Sequence, residues 1–299
     1  MPFRIRANVA LPANVDDEEL FGVTRSSLQS SPQRLTQMSY LLCKFNLYNI
    51  AFEICRLSSS ASLPPRDQVL KLDQQLGTEL KKHTSLFENV TDMPFYHVAH
   101  FYIVSNYTQH LQLLLHRPYI GAINSTSSRE PLEAQIRESY QRCNDSAMKI
   151  LSNFESFHHS TQMRPYRWYI NGFGSFQAFM AVTTLLVIMA NRDIAPTSNL
   201  AMTTAIKSCM SIFRELSRNS EICAKALAVL ERSGDTRMSE FQQATFGNPS
   251  FATPPIPMPR CAASDTWNYF PDMETFIRDI PSEQWLFPSG FPWGNLRSI

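Results

Sequence analysis

Four arrangements in this chain pair residue types with a spacing that could do chemistry. His97 and His100 stand three residues apart, so on one helix their imidazoles could share a metal ion. No carboxylate or thiol follows at ligand spacing, which leaves two ligands where a site needs three or four. Gly172-Phe-Gly174-Ser175-Phe-Gln177 has the glycine–serine start of a nucleophile elbow or dinucleotide loop. Its final glycine is missing and no strand pattern precedes it, so neither chemistry is assigned. His158-His159 is expected just past a helix end, as a solvated loop pair. The acidic run Asp16-Asp17-Glu18-Glu19 could hold a cation, but Asp16 and Glu19 have capping-box spacing, and a helix N-terminus is the expectation.

Six cysteines, at 43, 55, 143, 209, 223 and 261, contain no C-x-x-C pair of the kind that fixes structural zinc. They are expected as buried, reduced thiols acting as small hydrophobes. No catalytic, metal or cofactor residue is therefore assigned, and the chain is read as not an enzyme. A net charge of +1 lacks the electrostatic footprint of a nucleic-acid binder, so specific DNA binding by these residues is not expected.

The elements that would position such residues are helices. Nine glycines in 299 residues are too few for the tight turns of an all-β or Rossmann-type chain, and long windows run without any of the 19 prolines. The organising stretch is Met93–Tyr119, where Val98, Phe101, Val104, Leu111, Leu114 and Leu115 fall on one helical face. Pro94 suits its first turn, Pro118 is expected to stop it, and His116 and Arg117 are placed in its last turn beside the negative dipole end. Ser31-Pro32 is expected to open an earlier helix running to about Leu57. A second helix has Val69, Leu72, Leu76, Leu80 and Phe87 inward, and Lys71, Asp73, Glu79, Lys81 and Lys82 as solvated charges. Another carries Leu132 to Phe154 in register.

The uncharged run Gly172–Ala190 is long enough to span a bilayer, but Ser175, Gln177, Thr183 and Thr184 interrupt it. The expectation is a buried core helix with no membrane, opened by a largely shielded Trp168. The N-terminus lacks the apolar core of a secretion signal, so the sequons at Asn89, Asn106, Asn124 and Asn144 are expected to stay unglycosylated.

These elements predict an all-α, irregular multi-helix bundle or array with a Pro-rich, partly disordered C-terminal tail. The divisions are an arm over 1–30, a helical domain over 31–233, a Pro-rich linker over 234–264 and an acidic, aromatic tail over 265–299. Composition leaves two readings of the tail level. One is a segment that docks its rings on a partner; the other folds back on the helical body.

Several stretches resemble the fungal-specific transcription-factor domain, the middle homology region of fungal binuclear zinc-cluster regulators. They are Leu11-Pro12 before Asp16–Leu20, Leu113-Leu114-Leu115-His116-Arg117-Pro118-Tyr119, the helix Cys143–Leu151, and Trp168 followed by Phe176-Gln177-Ala178. The likeness covers most of residues 1–233. The six-cysteine zinc cluster and basic linker of that family are not in these 299 residues, so zinc is expected only in a DNA-binding module outside them. The resemblance implies a nuclear regulatory and effector domain of secondary metabolism or another pathway. It would work through the transcription machinery or a co-regulator, a small-molecule effector between helices, or homodimerisation. His116, Arg117, Pro118 and Trp168 would then be structural, and Trp267, Phe270, Phe276, Trp285 and Leu286 the contacts of the tail. The alternative is an enzyme or ligand-binding protein of a fungal biosynthetic pathway built on the same scaffold.

Overall fold

The computed structural model describes residues 10–21, 34–58, 63–87, 93–121, 130–190 and 199–231. All regular structure in them is helical, with no strand among the described residues, which is the all-α class that the periodicity predicts. The Pro-rich linker and the tail, with Trp267, Phe270, Phe276, Trp285 and Leu286, lie outside the described residues. The chain gathers into two compact units, Met1–Pro118 and Tyr119–Ile299.

Unit 1 opens with a single 3-10 turn, Asp17–Leu20. The capping box expected there is present: the Asp16 backbone N–H donates to Glu19 Oε2 at 2.9 Å. The carboxylates hold a guanidinium: Arg34 donates to both Asp16 and Glu19, and the Gln37 backbone N–H donates to Asp16 at 2.8 Å. This clasp pins the arm to the start of α1, Ser39–Ser58.

That helix begins later than Ser31-Pro32. The chain over 34–38 is not helical, and residues 31–33 lie outside the described ones. The reason is a hydroxyl pair. Thr36 Oγ1 accepts from the Met38 N–H, Ser39 Oγ accepts from the Thr36 N–H, and both side chains bond the buried Asn14. First-turn donors are thus satisfied from Thr36 onward, where a cap is needed.

Helix α2, Arg66–Ser85, packs on α1 through Val69, Leu72 and Leu76. Helix α3, Phe95–Gly121, touches both. The Tyr40 ring stacks on His100 with centroids 4.2 Å apart, Tyr48 meets Tyr107 edge-on, and His83 stacks on Phe101. No residue from Phe95 to Ile120 is exposed, and buried and half-buried positions alternate along α3. The one-sided apolar stripe is accordingly displaced: Leu113 is fully buried, while Leu114 and Phe101 are half-buried.

Pro118 does not stop α3, which continues to Gly121. A proline in the last turn forfeits a single i to i−4 bond, and the residues after it still take helical geometry. His116 and Arg117 therefore sit a turn inside the helix and do not cap its dipole.

Unit 2 is built on α4, Glu130–His159, which lies along α6, Ser175–Ala190, and against α7, Asn199–Leu216. Ile136, Tyr140, Cys143, Ala147, Ile150, Leu151 and Phe154 form the buried stripe of α4, and Phe154 meets Phe213 of α7 edge-on at 5.7 Å. The run Thr161–Met189 is long and apolar enough to cross a membrane, and 83% of its apolar 18-residue window is buried inside the protein. It is the core helix expected. Thr183 and Thr184 are satisfied locally, donating to the Met180 carbonyl at 3.0 and 2.8 Å. A last helical run spans 221–231.

Candidate functional site

The motif Leu113–Tyr119 is held through polar residues. Asp73 of α2, read as a solvated charge, is buried at 8% exposure. Gln112 donates to Asp73 Oδ1 at 2.6 Å, and His116 Nε2 stands 3.4 Å from the same oxygen. The latter contact lacks hydrogen-bond alignment and acts as an electrostatic one. An amphipathic pattern cannot separate a buried carboxylate from a solvated one three residues along; only the partner helix does. Asp73 is inside because Gln112 and His116 sit opposite it. The His116 side chain is fully buried, so no substrate reaches this carboxylate–imidazole pair. The structure thus gives His116 the role of joining α3 to α2.

Further buried imidazoles line the same helices. Burial pushes His110 down to about 3, with the Arg117 charge acting in the same sense. Burial, with its imidazole neighbours, brings His83 and His100 to about 4. His97 is buried too, and its pKa is lowered by burial against the opposing pull of Asp16. Neutral imidazoles can ligate metals, yet among the described residues no group of three His, Cys, Asp or Glu side chains converges on one point.

In unit 2 the glycine–serine motif forms a π-helical segment, Ile170–Gly174, leading from the short α5, Arg167–Tyr169, into α6. Gly172 leaves helical geometry there (φ −115°, ψ −111°). Ser175 Oγ donates to the Ile170 carbonyl and lies 3.0 Å from Cys223 Sγ. Burial raises the Cys223 pKa, against the opposing pull of its contacts with Ser175 and Ser220, which favours the neutral thiol. Trp168 is half-buried, not shielded; the buried ring is the neighbouring Tyr169, whose hydroxyl donates to Gln177 at 2.7 Å. The tryptophan stays outside because its ring stands edge-on to Tyr169, which takes the core position.

Gly174 is required beside that tyrosine. A Cβ at this position would sit 3.0 Å from both Tyr169 Cε1 and the Tyr169 carbonyl. Gly174→Ala should cost about 1–3 kcal/mol as the ring and its hydrogen bond give way. Thermal unfolding checks this, and an unchanged midpoint would mean that the Tyr169 ring has room to retreat.

Two other expectations change. His158-His159 belongs to the last turn of α4, where His158 lies 3.0 Å from Glu215. Of the described cysteines, 43, 143, 209 and 223 are buried thiols, but Cys55 is exposed. It falls on the outer side of α1, one residue from the buried Ile54.

No protein-family model matches the chain. An uncharacterized transcriptional regulatory protein of Schizosaccharomyces pombe aligns with it at 23% identity over 203 residues, 66% of this chain and 25% of the relative. The chain thus spans about a quarter of the length of that regulator. No solved structure matches.

Proposed function

We propose that this chain is the regulatory and effector part of a fungal zinc-cluster-type transcription factor, acting in the nucleus through partner or ligand binding and without reading DNA itself. The observation that carries the proposal is the likeness, over 66% of the chain, to a larger fungal transcriptional regulatory protein. It supports a regulatory role in general. The motif Leu113–Tyr119 and the near-neutral charge support the finer assignment. In this reading His116, Arg117 and Pro118 build the core of the helical body and Trp168 flanks the second unit. Residues 265–299 bring Trp267, Phe270, Phe276, Trp285 and Leu286 to the transcription machinery or a co-regulator. The body sets when that contact is made, through an effector or self-association.

Tethering tests this. Fused to an unrelated DNA-binding domain, the 299-residue chain should change transcription of a reporter carrying that domain's sites. The untethered chain should enrich no sequence from a pool of random duplexes. A silent fusion, or a selected DNA sequence, contradicts the proposal.

A further inference from the structure

Unit 2 carries a basic edge on its surface. Between Glu155 and Asp193 the sequence holds no acidic residue, while Arg164 and Arg167 stand three apart within it. The 3-10 helix Thr161–Tyr166 sets their direction. With three residues per turn, side chains at i and i+3 eclipse, so every third residue shares one edge. Met163 and Tyr169 take the inward edge and are buried. Thr161, Arg164 and Arg167 are exposed on a second edge, with the two arginines rooted about 6 Å apart along the axis. Pro165, exposed, and Trp168, half-buried, fall on the third, and the Tyr166 ring lies 6.4 Å from that of Trp168.

Among the described residues neither guanidinium makes an ion pair. The acids of the adjoining helix ends are taken, since Glu215 lies 3.0 Å from His158 and Glu221 pairs with Lys225. Arg218 adds an exposed cation in the turn before Ser220, whose hydroxyl donates to the Asn171 carbonyl at 2.6 Å and so ties that turn to this segment.

The chain itself supplies the complement. Residues 265–287 carry Asp265, Asp272, Glu274, Asp279 and Glu283 against the single base Arg278, between Trp267, Phe270, Phe276 and Trp285. They belong to the same unit. The helical run 221–231 starts beside Asn171, through Ser220, and is about 16 Å long. The roughly 30 residues from its end to Asp265 can span up to about 100 Å, so the acidic segment can return to the edge. A segment of the same chain also acts at a high effective concentration, which suits weak, exposed ion pairs.

We propose that segment 265–287 docks on this edge, its carboxylates on Arg164 and Arg167 and its rings on Pro165 and Trp168. The contact is reversible and screened by salt. The inference rests on the regulatory reading only for its consequence, that a partner of the tail must compete with the edge for the same side chains.

Carbodiimide coupling in the 299-residue chain tests the contact. Arg164→Lys with Arg167→Lys keeps the charge and adds amines that zero-length coupling joins to touching carboxylates. Peptide mass spectrometry should find amide links from positions 164 or 167 to acids of 265–287, about fivefold fewer in about 0.5 M salt. Mixing isotope-labelled and unlabelled chains should place those links within one chain. Links only to acids of the helical body, or only between labelled and unlabelled chains, would overturn the proposal. So would an oligothymidylate strand that binds a chain without tail links and is lost on Arg164→Glu with Arg167→Glu. That charge reversal, at two exposed positions, should raise reporter activity of the tethered chain about twofold, and an unchanged reporter would contradict the competition. Tail links in a chain silent when tethered keep the docking and remove the regulatory reading. A tethered chain that activates without tail links does the reverse.

Discussion

Acidification should unfold unit 1 well above the pH at which its carboxylates protonate. Burial lowers His83 and His100 from an ordinary 6.5 to about 4 and His110 to about 3, and His97 shifts in the same direction. These groups are neutral in the folded chain. Below about pH 6.5 the unfolded chain binds more protons, so stability is full above that value and is lost as pH falls towards the folded-state values. Each proton taken up on unfolding costs about 1.4 kcal/mol of stability per pH unit, and three histidines together cost about 4. One to two pH units therefore remove about 4–8 kcal/mol, enough for a domain at the lower end of the usual 5–15 kcal/mol. Helical circular dichroism followed from pH 7 downward should show a cooperative loss between about pH 6 and 4.5. Replacing His83 and His110 by Gln should move the midpoint lower. A chain that keeps its helices to pH 4 would mean that water reaches these imidazoles.

Leu113→Asp should be the most damaging single change in the family-like motif. Leu113 has no exposed surface, and an unpaired carboxylate there costs at least about 3 kcal/mol or forces its own protonation. The midpoint of thermal unfolding should fall by on the order of 10 °C. Leu114→Asp, one residue on, places its carboxylate at a half-buried position and should cost about 1 kcal/mol. The order of the two midpoints is the check. If Leu114→Asp were the worse, the register of α3 would be rotated.

Much of the fold was legible because it depends on periodicity along one helix. The stripe of α4 from Ile136 to Phe154 and the buried run of α6 both follow from apolar spacing, and the capping box at Asp16 and Glu19 follows from its i, i+3 spacing. What escaped depends on a second element. Asp73 has the spacing of a solvated residue until Gln112 and His116 are placed against it. The late start of α1 depends on Asn14, more than twenty residues upstream of Thr36, which ties down two hydroxyls. Pro118 was misplaced for a different reason, because the rule that proline ends helices weakens where few bonds remain to be lost.

The central claim, that the chain is an effector whose aromatic tail makes the working contact, is tested most directly by one comparison in a reporter cell. The 299-residue chain is tethered to an unrelated DNA-binding domain, beside the same fusion with Trp267, Phe270, Phe276 and Trp285 changed to alanine. Each ring contributes roughly 1.5–3 kcal/mol of burial on a partner before ordering costs, so losing four should abolish a modest, reversible contact. The account predicts strong reporter activity from the first fusion and background from the second, at equal protein levels. Equal activity from the two fusions, or none from either, would contradict it.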